Sequence, residues 1–304
     1  MKIFQTSWFH ILFILAIIMV IFIWYKKQDL SNYYEGFVQD SPYIFKNGTS
    51  VNDNFYAEIY NKLMLSKERS SFEIDKIIEM TAPSEKSTFL DIGSGTGELP
   101  GLLTQKGFDV YAMDISKDMT NYVEKHHPDV QTKCGDAKHA ITYEKGSFSH
   151  ITLTGLSFYL FKNKDELLRN CFYWLRPGGY LIVHLVDPDK FDTIIPGGIP
   201  DLLKNPQQYS PKRITDTNID FIDFQYKGSY DFSKKNENKV LLKETFTDEL
   251  TKHVRQQETN FYMEPMNVIL QVASKTGFIP KGQVSMEPFS HDKHQHLVIL
   301  ERTQ

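Results

Sequence analysis

Residues 88–105 read TFLDIGSGTGELPGLLTQ: an apolar run ending in an acid, glycines at 93, 95 and 97, then apolar residues at helical spacing. This pattern predicts a strand, a glycine-rich turn and a helix start. Such a turn aims backbone N–H groups and the positive end of a helix at one point. Three ligand chemistries use that device, and two are excluded by the residues present. A nucleoside triphosphate loop needs a lysine after its last glycine, and none follows Gly97. A dinucleotide fingerprint needs G-x-G-x-x-G, and the position of its third glycine is Glu98, whose carboxylate repels a pyrophosphate. What stands instead is G-x-G-x-G, with Asp91 just ahead of it, an arrangement suited to a ligand that carries positive charge.

The surrounding pattern sets the fold class. Apolar strand-like segments at 88–91, 109–113, 130–134, 148–153 and 180–186 alternate with helical periodicity at 98–105, 117–127 and 165–175. Two more helical stretches, 55–65 and 68–80, precede the first strand. Alternation of this kind argues for a parallel sheet covered on both faces. After Val186 the rhythm changes. Residues 187–215 are irregular, and 219–232, 239–247 and 251–263 have strand character, which predicts an antiparallel insertion. A helix at 266–276, closed by Gly277, and strands at 280–286 and 296–301 end the chain.

One segment stands outside this pattern. Trp8 to Tyr25 carries only His10 as a polar residue, with aromatic rings at both ends. Eighteen helical residues span about 27 Å, close to the thickness of a bilayer's hydrocarbon core. No small-residue cleavage site follows, only Lys26 and Lys27, so an uncleaved transmembrane anchor over 1–27 is expected, then a polar linker over 28–53 and a catalytic domain over 54–304. Two sparse cysteines point the domain to a reducing compartment and the cytosol. An Asn47-Gly48-Thr49 sequon points the other way. A net charge of −4 offers no footprint for nucleic acid.

Taken in order, these residues resemble the class I S-adenosylmethionine-dependent methyltransferases. Asp91-Ile92-Gly93-Ser94-Gly95-Thr96-Gly97 resembles the family's first motif, which contacts the methionine moiety of the cofactor. Asp114, ending VYAMD, resembles the acid that accepts both ribose hydroxyls, with Ile115 packed on the adenine. Gly135-Asp136-Ala137 is similar to the segment that meets the adenine amino group. Leu175-Arg176-Pro177-Gly178-Gly179 is similar to the turn before the fifth strand. The resemblance implies S-adenosyl-L-methionine as cofactor and a Rossmann-like, doubly wound seven-stranded sheet with an antiparallel last strand, here carrying a β insertion over 187–263 after strand 5.

The acceptor side is less legible. The stretch after the fourth strand, Leu153 to Tyr159, lacks the Pro-Pro of base and amide methyltransferases, and Tyr159 is a candidate polar contact there. Asp187 follows the fifth strand and is a candidate base or a loop cap before Pro188. His184 lies inside an apolar strand and reads as a core histidine. Tyr60 and Tyr56 share a helix that can close over a cofactor. The His291–His296 cluster reads as a polar turn, with no metal expected. Aromatic residues crowd the insertion, and beside a membrane anchor they suggest a small-molecule or lipid acceptor. The rival reading is a catalytically degenerate, tethered binding module; a nicotinamide oxidoreductase is disfavoured by Glu98.

Overall fold

The computed structural model describes residues 12–21, 39–199 and 205–303. The chain divides into two compact units, 1–38 and 39–304. Within the first, residues 12–21 form a helix whose apolar side chains are exposed. The ends of the expected span, 8–11 and 22–25, lie outside the described residues. Among the described residues no helix is long and apolar enough to cross a membrane.

The second unit is built on a seven-stranded sheet. Its strands are β2 (Thr88–Ile92), β3 (Asp109–Asp114), β4 (Gln131–Cys134), β5 (Phe148–Leu153), β6 (Leu175–Val186), β11 (Phe278–Ser285) and β12 (Gln295–Arg302). They lie in the order β11-β12-β6-β5-β2-β3-β4. From β6 to β4 all pairs are parallel, while β12 runs antiparallel to both its neighbours. This is the Rossmann-like α/β sheet with one reversed strand that the sequence pattern predicts. The chain changes direction of winding between β2 and β5, so the carboxyl ends of the parallel strands open a crevice there.

Strand alternation decides which residues meet the helices. Phe89, Val110, Ile182, Leu297 and Ile299 face α2 (Ser66–Thr81) and α3 (Glu98–Gln105), packing on Ile74, Ile77, Leu99 and Leu103. α4 (Lys117–His126) covers the same face further out, with Val123 on Ala112. On the other face Tyr111, Phe148 and Tyr143 form an edge-to-face ring cluster with Trp174 at the end of α5 (Lys164–Trp174). Phe172 of α5 meets Phe278, the residue after α6 (Met266–Thr276) and its left-handed Gly277 cap.

A second sheet of five strands has the order β1-β10-β9-β8-β7. Four come from the expected insertion: β7 (Asp216–Asp220), β8 (Phe224–Asp231), β9 (Lys239–Asp248) and β10 (Val254–Tyr262). They form an antiparallel meander. Segment 219–232, read as one strand, is two, divided at 221–223. The fifth strand, β1 (Tyr43–Asn47), pairs parallel with β10. It falls in the stretch expected to be linker, which is therefore structured from residue 39 onward. β1 escaped notice because it has no buried face: Tyr43 and Phe45 are both about half exposed on a sheet edge.

The inner face of this sheet buries a carboxylate. Glu244 is 1% exposed and accepts hydrogen bonds from the hydroxyls of Tyr56 and Tyr226 (3.0 Å each to Oε1) and from Gln257 Nε2 (2.8 Å). Gly228 makes room for this, since a Cβ there would sit 2.6 Å from the Tyr226 hydroxyl. Tyr56 belongs to α1 (Asn54–Met64), so the network fixes that helix to the second sheet. Arg255 adds bonds to Asp53 Oδ2 (2.8 Å), the N-cap residue of α1, and to the Val51 carbonyl (3.1 Å).

Candidate active site

The carboxyl ends of the parallel strands, α1 and the second sheet enclose a cavity of about 480 Å3. Its floor begins at the glycine loop. Gly93 and Gly95 both have positive φ (68° and 53°), where residues with a Cβ are strained. A Cβ on Gly93 would lie 3.0 Å from Ser157 Cβ, and one on Gly95 would point toward the Tyr60 ring at 4.0 Å. Gly97, also with positive φ, does not line the cavity. A Cβ there would meet the Val123 methyls at 2.7 and 2.9 Å, so its role in this fold is to let α4 approach.

Two buried acids flank the loop. Asp91 is 4% exposed at the end of β2, and its Oδ1 accepts the Thr152 hydroxyl at 2.6 Å. Burial raises its pKa to about 7, and the neighbouring Glu73 and Asp114 push the same way. Thr152 and Arg69 oppose this without restoring an ordinary carboxylate. Asp114, at the end of β3, accepts the Gly95 N–H at Oδ2 (3.0 Å) and the Ser116 N–H at Oδ1 (2.8 Å). With the Ile115 N–H also turned to this carboxylate, four acceptor sites meet three backbone donors, which leaves room for a ligand hydroxyl.

The rest of the rim follows from the same topology. Ile115, the residue after β3, is 45% exposed on the cavity wall, an apolar side chain left uncovered. Asp136 and Ala137 follow β4 and also line the cavity; Asp136 caps its own turn through the Lys138 N–H at 3.0 Å. The Ala137 carbonyl is held by Asn170 Nδ2 at 2.8 Å. Tyr60 and Tyr56, on α1, line the cavity as well. Asn61 anchors that helix: its amide donates to Glu98 Oε1 (2.9 Å) and its carbonyl oxygen accepts the Thr96 hydroxyl (2.5 Å). Glu98, which argued against a pyrophosphate, thus also holds α1. No sequence pattern marked Asn61, because its partners lie 35 and 37 residues away.

Two of the expected catalytic side chains stand elsewhere. Tyr159 is fully buried, and its hydroxyl accepts the Val186 N–H at 3.0 Å, tying the loop after β5 to the end of β6. Asp187 turns from the cavity: Oδ1 accepts the Asp189 N–H (3.0 Å) and Oδ2 faces Lys190 Nζ (3.4 Å). Of its two readings, the cap before Pro188 is the one the geometry supports. Asp187 sits one residue past β6 and Tyr159 in the short helical turn at Ser157–Leu160 after β5, where sequence alone does not tell a side chain aimed at the crevice from one turned back.

Arg69 and Glu73 were not singled out by their pattern. They lie one turn apart on α2, with Nε and Oε1 3.8 Å apart; Glu73 is fully buried and Arg69 largely so. Burial lifts Glu73 to about 7 against the pull of Arg69. His184 lines the cavity, and so do Ser94 and Ser157; the ring nitrogens of the first and the hydroxyls of the others are buried without a hydrogen-bond partner. Among the described residues no group of three or more His, Cys, Asp or Glu is placed to hold a metal ion.

A reversed-strand Rossmann sheet carries here a tight glycine loop and an acid at the tip of each of its first two strands. Comparison with known proteins gives the family. Residues 90–183 match the family described as a methyltransferase domain. The chain is 32% identical over 114 residues to the cypemycin N-terminal methyltransferase of a Streptomyces species, covering 36% of this chain and 46% of that one. It is 29% identical over 126 residues to the ubiquinone biosynthesis O-methyltransferase of Caulobacter vibrioides, covering 40% and 50%. The chain thus spans about half the length of these relatives. A solved S-adenosylmethionine-dependent methyltransferase from Clostridium acetobutylicum shares the fold, with a TM-score of 0.61 at 19% identity, over 83% of this chain and 99% of that one. Residues 90–183 thus carry a methyltransferase domain, on a fold shared with a solved S-adenosylmethionine-dependent methyltransferase.

The cavity fits that family's cofactor on its own terms. Unpaired hydroxyls on Ser94 and Ser157, an acid at Asp114 and the uncovered Ile115 are the kinds of group that an amino acid, a ribose and an adenine ring need from a site.

Proposed function

We propose that this protein transfers a methyl group from S-adenosyl-L-methionine to a small-molecule or lipophilic acceptor, and that residues 8–25 tether it to a membrane. The observation that carries the reading is the pairing of two buried carboxyls, Asp91 and Asp114, with the open glycine loop between them. Asp91 would hold the ammonium of the cofactor and Gly93, Ser94 and Gly95 its amino-acid chain. Asp114 would take the two ribose hydroxyls, with Ile115 against the adenine face and the Asp136–Ala137 segment at its edge.

When bound, the cofactor supplies a methyl carbon made electrophilic by a sulfonium. The protein's own work is then positional. α1, fixed by Asn61 and Tyr56, covers the mouth and excludes water, and Tyr60 stands over the loop. A dry site favours a reaction in which charge is dispersed. The acceptor would enter the arm of the cavity lined by Phe191, Ile195, Tyr230, Leu242 and Phe261, an apolar wall supplied by the second sheet and the chain leading to it. This wall supports a lipophilic acceptor. The all-apolar stretch at 12–21, with its side chains exposed, supports the tether. Cys134 and Cys171, both free, favour a domain facing the cytosol.

The test is transfer of label. The full chain in detergent is incubated with methyl-labelled S-adenosylmethionine and fractionated cell extract. Label is expected in an organic-soluble, small-molecule fraction. Label only in polymer, or none in any fraction, would retire the reading.

A further inference from the structure

We propose that His184 reads the methyl acceptor, and that the acceptor presents a neutral hydroxyl or an uncharged amine there. This rests on the methyltransferase reading above and gives its acceptor a chemical class.

The register places His184. Asp91 pairs with Thr152, and Thr152 with Ile182, so these three side chains share one face of the sheet. His184 lies two residues beyond Ile182 and so points to the same face, one step nearer the crevice. Ile182 is sealed in the core under α2. His184 is only 3% exposed, yet it lines the cavity; Gln295, on the same cavity wall, is the polar side chain beside its ring, and neither ring nitrogen makes a well-formed hydrogen bond. A core histidine, which the sequence pattern suggested, would have one. Leaving two polar atoms buried and unpaired is destabilising, and such atoms are rare in folded proteins outside functional sites.

The surroundings fix what His184 can bind. Burial and then the positive charge of Arg69 push its pKa down to about 3, with His296 adding to this and Gln295 opposing it. The ring is therefore neutral and offers one acceptor nitrogen and one N–H. An O–H or N–H group satisfies the acceptor nitrogen, and a lone pair on the same atom or its neighbour can take the N–H. A carboxylate has no proton for the acceptor nitrogen, and Arg69, the cation beside the ring, already faces Glu73 at 3.8 Å. A purely apolar ligand leaves both nitrogens unpaired. The apolar wall at Phe191, Ile195, Tyr230 and Phe261 fits the body of the molecule.

Four probes of one size separate these cases: phenol, aniline, benzoate and toluene. Each is titrated into the full chain loaded with S-adenosylhomocysteine, in nanodiscs, with empty nanodiscs as control. Phenol and aniline are expected to bind at least tenfold tighter than toluene or benzoate. In His184→Leu the phenol preference over toluene should vanish, while S-adenosylhomocysteine affinity stays within twofold. The thermal midpoint without ligand should hold or rise, because an unpaired polar group has been replaced by an apolar one. His184→Gln, which keeps a donor and an acceptor, should restore part of the preference. Equal binding of phenol and toluene by the parent, tightest binding of benzoate, no binding of any probe, or an undiminished preference in the leucine variant would each overturn the proposal. So would a glutamine variant that folds, binds S-adenosylhomocysteine and shows no preference. Failure of the parent to bind S-adenosylhomocysteine would instead sink the methyltransferase reading itself.

Discussion

Binding of the cofactor should release a proton, and the reason lies in Asp91. In the free cavity its carboxyl is fully buried with a pKa raised to about 7, so at neutral pH it carries a proton roughly half the time. A ligand ammonium placed against it favours the ionised form and lowers that pKa. The sign is then fixed. Below pH 7 the ligand must expel a proton to bind, and affinity rises with pH; above 7 the carboxylate is already present, and affinity levels off. With a free pKa near 7 and a bound value well below 6, the ionised fraction climbs from about a tenth at pH 6 to about nine tenths at pH 8, and affinity climbs about tenfold, or about 1.4 kcal/mol. Glu73, also lifted to about 7 in the same cluster, can add to the proton count. The assay is titration calorimetry with S-adenosylhomocysteine at pH 6, 7 and 8, in buffers of different ionisation heat. Asp91→Asn should bind more weakly and lose most of the pH dependence. Affinity constant within twofold from pH 6 to 8, with a heat independent of buffer, would refute the argument.

Further consequences follow from the same geometry. Because Asp91 and Glu73 have folded pKa values above their unfolded ones, they favour the folded state most below about pH 4, and this contribution is lost as pH rises through 7; the ligand-free thermal midpoint of Asp91→Asn should therefore fall less between pH 5.5 and 7.5 than that of the parent. Asp114→Ala removes charged hydrogen bonds to the ribose and should weaken cofactor binding by about 1.5–3 kcal/mol; unchanged affinity by calorimetry would mean the ribose site is misplaced. Gly97→Ala combines a φ of 78° with a contact of 2.7 Å to a buried valine, and should destabilise the domain by about 1–3 kcal/mol in denaturant unfolding. Glu244→Ala leaves the hydroxyls of Tyr56 and Tyr226 and the Gln257 amide without their common acceptor, and should cost about 3 kcal/mol or more; a thermal midpoint equal to the parent's would contradict this.

What the sequence carried and what it hid divide along physical lines. The helix over 98–105 and the strand over 148–153 were legible to the residue: the helix has one apolar face, the strand is buried along its whole length, and each ends at a sharp stop. The reversed-strand sheet was legible through the motifs that sit at its strand ends. β1 was hidden, since an edge strand with no buried face leaves no period-two signal. At the site, Asp91 and Asp114 could be placed on the cavity because strand ends point at the crevice. Asn61, Arg69 and Glu73 could not, because their importance lies in partners brought by the fold from other elements. His184 was readable as buried, but burial alone does not distinguish a satisfied histidine from one left open to a cavity.

The central claim is that the cavity between Asp91 and Asp114 is a seat for S-adenosylmethionine. Calorimetric titration of the full chain with S-adenosylhomocysteine, beside Gly95→Arg, which fills the cavity from the loop, tests it most directly. The account predicts saturable one-to-one binding by the parent and none by a variant that still unfolds cooperatively. Absence of heat with the parent, or equal binding by both proteins, would contradict it.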